Sequence, residues 1–77
     1  MARVRYFAAA EEIAGTREET RSEPTLGALR AALVAERPGM AGLLPRCAVL
    51  VGGSRVDDDQ PLGDDAVVDV LPPFAGG

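Results

Sequence analysis

The 77 residues allow one small domain, and 47% apolar with 26% charged side chains excludes a disordered chain. Twelve acidic residues against eight basic ones, a net charge of −4, argue against nucleic-acid or anionic-membrane binding and favour a basic protein partner. No apolar run approaches the ~20 residues of a membrane span, and Met1-Ala2-Arg3-Val4-Arg5 lacks the apolar stretch of a signal peptide, so a soluble, cytoplasmic protein is expected.

Residues 2–8 alternate as a half-buried strand, with Val4, Tyr6 and Ala8 on one face and Arg3, Arg5 and Phe7 on the other. Ala9 to Ala14 favours a short helix, which Gly15 ends. Thr16 to Glu23 is polar and predicts an exposed edge strand. Thr25 is the expected N-cap of the main helix, where Leu26, Leu29 and Leu33 recur at helical spacing. Arg37-Pro38-Gly39 stops that helix. Met40 to Leu44 predicts one further turn, ended by Pro45. Cys47 to Val51 is an apolar strand, Gly52-Gly53 a tight turn, and Ser54-Arg55-Val56 a short return strand. Asp57 to Asp65 is a loop. Val67 to Leu71 is the last strand, apolar enough to sit centrally beside the first, and Pro72-Pro73 ends it. The economical packing is an α+β domain over residues 1–77, a single sheet covered on one face by one main helix.

Function is sought at the end of the chain. Pro72-Pro73 favours a stiff, extended exit from the sheet, and the six residues 72–77 reach at most ~20 Å. Gly76 and Gly77 lack Cβ atoms, so they fit a narrow channel and leave a carboxylate unhindered. Such a carboxylate can be activated by ATP as an acyl-adenylate, and a sulfur nucleophile can then displace AMP. The chain has no histidine and no lysine, so it holds no Ser-His-Asp or Cys-His centre, no histidine metal ligand and no Schiff-base amine of its own.

The opening Val4-Arg5-Tyr6-Phe7-Ala8-Ala9-Ala10-Glu11-Glu12-Ile13-Ala14-Gly15 and the closing Val68-Asp69-Val70-Leu71-Pro72-Pro73-Phe74-Ala75-Gly76-Gly77 resemble the MoaD/ThiS-type ubiquitin-like sulfur carriers, most of all the small subunit of molybdopterin synthase. Gln60-Pro61-Leu62 before the last strand also suits that family. The resemblance implies a ubiquitin-like β-grasp fold, a mixed sheet covered by one main helix with a free Gly-Gly tail. It implies that Gly77 is adenylated by an E1-like enzyme of the MoeB type, with ATP bound there and no permanent cofactor or metal. A sulfur donor then converts Gly77 to a thiocarboxylate. Pro73, Phe74, Ala75 and Gly76 enter the large MoaE-type subunit, which holds the precursor and the catalytic residues. Phe7 and Leu71 match the family's apolar docking surface. Arg55 falls where an apolar residue would extend that surface.

Other features have plainer readings. Gly52-Gly53 lacks the Lys-Ser/Thr of a phosphate loop and reads as a hairpin turn. Asp57-Asp58-Asp59 and Asp64-Asp65 do not match a calcium loop and read as solvated acids. Cys47 is the only cysteine, so no internal disulfide forms, and at the start of an apolar strand it packs as a small hydrophobe. Three alternatives to the molybdopterin role stay open: sulfur delivery to thiamin, cysteine or tRNA thiolation; a ubiquitin-like protein modifier joined through Gly77; and a binding module whose tail has no chemistry.

Overall fold

A computed structural model describes residues 1–73. Five strands, β1 (Ala2–Tyr6), β2 (Glu18–Arg21), β3 (Ala48–Val51), β4 (Ser54–Arg55) and β5 (Val67–Leu71), form one sheet in the order β2-β1-β5-β3-β4. β1 and β5 are parallel, and every other neighbouring pair is antiparallel. Three α-helices lie between strands: α1 (Ala9–Ala14), α2 (Leu26–Glu36) and α3 (Met40–Leu43), the last followed by a 3-10 turn, Leu44–Arg46. This is the ubiquitin-like β-grasp architecture expected from the two ends of the sequence.

The period-two pattern of the strands sorts their side chains onto two faces. Val4 and Tyr6 from β1, Val68 and Val70 from β5 and Val49 from β3 point inward and are buried. Leu26, Leu29 and Leu33 of α2 cover them, with Ala10 of α1 and Met40, Leu43 and Leu44 closing the core. One main helix therefore dominates, and the two shorter helices fill the ends that its length of about 16 Å leaves open. The opposite face of the sheet carries Glu18, Arg3, Arg5, Val67, Asp69, Leu71, Ala48, Leu50 and Arg55, and none of these is buried.

Local chemistry sets the boundaries. Thr25 caps α2 as expected, its Oγ1 accepting from the Ala28 N–H at 3.2 Å. The next orphan donors, the Leu26 and Gly27 N–H groups, donate to the carbonyls of Gln60 and Asp58 at 3.0 and 2.8 Å. A Cβ on Gly27 would lie 3.0 Å from the Asp58 Cβ, so this glycine permits the loop to seat on the helix start. Gly52 and Gly53 both have positive φ, 59° and 84°, as a two-residue hairpin turn requires between Val51 and Ser54.

Several expected boundaries move, among them β2, which spans Glu18–Arg21 rather than Thr16 to Glu23. β1 stops at Tyr6 rather than Ala8, because Ala8 turns to φ 50°, ψ −125° and is exposed. Pro45 lies inside the 3-10 turn and does not end it, since its missing N–H falls where a helix start has no partner to offer. Cys47 precedes β3 and Val56 follows β4 without joining it.

Candidate docking face and tail root

The parallel register of β1 and β5 brings the two expected contact residues together. Tyr6 faces Val70, and the Phe7 N–H donates to the Val70 carbonyl at 3.2 Å, carrying the ladder one residue past β1. Phe7 thereby stands beside Leu71 on the open face of the sheet. β3 adds Ala48, which pairs directly with Leu71. Phe7, Ala8, Ala48, Arg55, Leu71, Pro72 and Pro73 line one shallow concavity of about 510 Å³, Arg55 being its one charged member. Phe7 is 38% exposed, a large apolar side chain left at the surface.

Ala8 fixes the corner. The Ala10 N–H donates to the Phe7 carbonyl at 3.0 Å, closing a tight turn with Ala8 at its second position. The dihedrals of Ala8 are those of a type II′ turn, where glycine is the usual residue. The turn reverses the chain at once into α1, so Phe7 is held at the rim.

Behind this apolar row lies a charged one. Arg5 donates to both carboxylate oxygens of Asp69, Nε–Oδ1 at 2.6 Å and Nη2–Oδ2 at 2.8 Å, a two-point pair across the parallel strands. Arg3 lies 3.5 Å from Glu18. Leu50 stands between Asp69 and Arg55 in the register of β5, β3 and β4. Arg55 is exposed and makes no ion pair among the described residues.

β5 ends at Leu71, Pro72 is buried against the domain, and Pro73 is exposed. The remaining tail positions singled out in the sequence, Phe74, Ala75, Gly76 and Gly77, lie outside the described residues.

Residues 4–77 match the ThiS family. The chain belongs to the ThiS family. It is the ubiquitin-like sulfur-carrier family that the ends of the sequence resemble. Among solved structures, a Pyrococcus furiosus protein described as a candidate molybdopterin converting factor, subunit 1, is 25% identical, with a TM-score of 0.84 over 95% of this chain and 97% of its own. A chain from the complex of subunits 1 and 2 of molybdopterin-converting factor of Helicobacter pylori 26695 is 31% identical, with a TM-score of 0.74 over 99% and 97%. The small archaeal modifier protein 1 of Methanosarcina acetivorans shares the fold, at 21% identity and a TM-score of 0.84 over 99% and 95%. No curated protein matches the chain.

Within this ThiS-family domain Cys47 is half-buried, and its thiol donates to the Leu43 carbonyl at 3.3 Å. Burial pushes its pKa up, so the nucleophilic thiolate is disfavoured. Among the described residues no group of three or more His, Cys, Asp or Glu side chains could hold a metal ion. No helix among them is long and apolar enough to cross a membrane. Sequence reasoning found Phe7 and Leu71 but missed Ala48, Ala8 and Pro72. Ala48 joins them only through the β3–β5 register, which no local pattern of the chain encodes. The positive φ of Ala8 had no glycine to announce it.

Proposed function

We propose that this ThiS-family chain carries sulfur on Gly77 for molybdopterin synthesis, as the small subunit of a two-subunit synthase. The observation that carries this reading is the apolar concavity of Phe7, Ala48, Leu71, Pro72 and Pro73, set where the chain leaves the sheet toward Gly76-Gly77. A partner that grips this patch holds the root of the tail and so aims the terminus into its own active site. Two neighbours described as molybdopterin converting factor, one of them from a complex with subunit 2, support the molybdopterin acceptor and a MoaE-type large subunit.

The chemistry resides at the Gly77 carboxylate. On an E1-like enzyme a carboxylate oxygen attacks the α-phosphorus of ATP, and pyrophosphate leaves. A hydrosulfide-level donor then attacks the carbonyl carbon, AMP departs with the oxygen, and a thiocarboxylate remains. In the large subunit the thiocarboxylate sulfur attacks a carbon of the precursor, a C–O bond at that carbon breaks and its oxygen leaves protonated, and water cleaves the resulting acyl–sulfur bond to restore Gly77. Two such deliveries form a dithiolene. ATP is assigned to the activating enzyme in this reading, and Gly52-Gly53 builds a hairpin turn.

Intact-mass measurement of the untagged protein with ATP, an E1-like activating enzyme and a sulfur donor tests the first half. The expected gain equals one sulfur in place of one oxygen, mapped to Gly77. An unchanged mass with an enzyme competent on another carrier overturns it. Adding the thiocarboxylated protein to a large synthase subunit and precursor tests the second half. Dithiolene formation is expected. Its absence alongside transfer to thiamin, cysteine or tRNA acceptors, or alongside lysine conjugates, assigns the sulfur or the terminus elsewhere.

A further inference from the structure

The acidic charge of the whole chain suggests a basic partner, but the charges on its docking face point the other way. The open sheet face has five ionised side chains within its strands: Arg3, Arg5 and Arg55 against Glu18 and Asp69. Glu18 is engaged by Arg3, and Asp69 is held at two points by Arg5. Arg55 makes no ion pair among the described residues, although Asp57 follows it by two residues. The nearest acid along its cross-strand row is Asp69, and Leu50 stands between them. Asp64 and Asp65 are remote: the Arg3 N–H donates to the Ala66 carbonyl at 2.9 Å, which puts these acids at the start of β5, and Arg55 lies level with Asp69, three residues further on and two strands across. At ~3.3 Å per residue that is more than 10 Å away, beyond a Debye length at physiological salt.

Arg55 also lines the otherwise apolar concavity of Phe7, Ala48, Leu71 and Pro72. An exposed arginine at the edge of an apolar patch combines two properties of contact surfaces, an anhydrous centre and a polar rim. Arginine in particular presents a planar fork that matches a carboxylate at two points, and its weak hydration makes it easier to desolvate than lysine. An exposed cation there penalises any partner that meets it with an apolar or basic group.

We propose that Arg55 is a specificity determinant: the partner surface that covers the Phe7–Leu71 patch presents a carboxylate opposite Arg55, and this pair selects the cognate large subunit. The inference rests on the docking role assigned to the patch above. It adds the chemistry of the partner, an apolar surface with an acidic rim, although the carrier as a whole is anionic.

The test is binding of the full-length carrier to the large synthase subunit of the same organism, measured by titration calorimetry across salt concentration. Wild type is compared with Arg55→Gln, Arg55→Glu, Phe7→Ala and Leu71→Asp, each checked for an unchanged thermal transition. Arg55→Gln is expected to weaken binding about tenfold and Arg55→Glu on the order of a hundredfold. Salt is expected to weaken the wild type and to have a smaller effect on Arg55→Gln. An arginine placed on one acidic residue of the large subunit is expected to restore binding of Arg55→Glu. If Arg55→Glu binds as tightly as wild type while Phe7→Ala and Leu71→Asp fail, the patch stands and the Arg55 proposal falls. If Phe7→Ala and Leu71→Asp also bind normally, the docking role of the patch itself is overturned.

Discussion

Ala8 holds φ at 50° in a turn position made for glycine, and it does so next to the candidate contact residue Phe7. An L residue kept there stores on the order of 1–3 kcal/mol of backbone strain. Ala8→Gly is therefore expected to raise the stability by about 1 kcal/mol, the relief of strain outweighing glycine's extra freedom in the unfolded chain. For a domain this size that is a rise in Tm of about 4–8 °C. A melting temperature at or below that of wild type would mean the turn is relaxed with alanine. No local pattern signalled this conformation, because Arg3 to Ala8 alternates as a strand. Thr25 was legible for the opposite reason: a side-chain oxygen before a leucine-periodic run has one dominant structural use, and its bond to Ala28 is that use.

Among the elements, the edge strand β2 is the least apolar and the most dependent on ions. Arg21, with a side chain only 11% exposed, donates to Glu23 and Glu36 at 2.7 Å and to Glu19 at 3.3 Å, tying the strand to the end of α2. Glu19 also accepts from the Tyr6 hydroxyl at 2.6 Å and pairs with Arg37 at 3.1 Å, and the Arg37 guanidinium stands 6.0 Å from the Tyr6 ring. Hydrogen bonds from Arg21 hold the Glu23 and Glu36 carboxyls below their ordinary value of 4.5. Depressed acid pKa values stabilise the fold above the unfolded-state pKa, and that stability is lost as pH falls through the folded values. Wild type is expected to lose stability from about pH 4.5 downward, more steeply than Arg21→Met. At neutral pH the same variant is expected to melt roughly 5 °C lower, about 1 kcal/mol for a domain this size. Parallel pH profiles for the two proteins in denaturant titrations would sink the argument. The polarity of residues 16–23 made an edge strand readable, but Glu36, the Arg21 partner that ties the strand to α2, lies fifteen residues later and was not. The continuous apolar run at 47–51 was readable as a strand, whereas the exclusion of Cys47 depends on where its neighbour β5 ends.

At the scale of the molecule, the buried core among the described residues runs from Ala2 to Val70, with Pro72 buried just beyond it, and so is built upstream of Gly76 and Gly77. Removal of Gly76 and Gly77 is expected to leave the thermal transition unchanged and to abolish the mass gain on sulfur loading. A fall in stability, or loading at a shortened terminus, would contradict that separation. The fold class and the pairing of the first and last strands were legible because apolar strands at both ends of a short chain have few places to go except the centre of one sheet. The candidate docking face was legible only in Phe7 and Leu71, since a surface assembled from β1, β3, β4 and β5 exists only once their registers are set. That central pairing has a further consequence during synthesis. Until residues 67–71 leave the ribosome, β1 with β2 and β3 with β4 are two separate ribbons, each too small to bury an apolar face alone. The last-made strand joins them, so the domain folds in one late step. A product cut short before Val67 lacks the strand that joins the two ribbons and is expected to stay open to proteases.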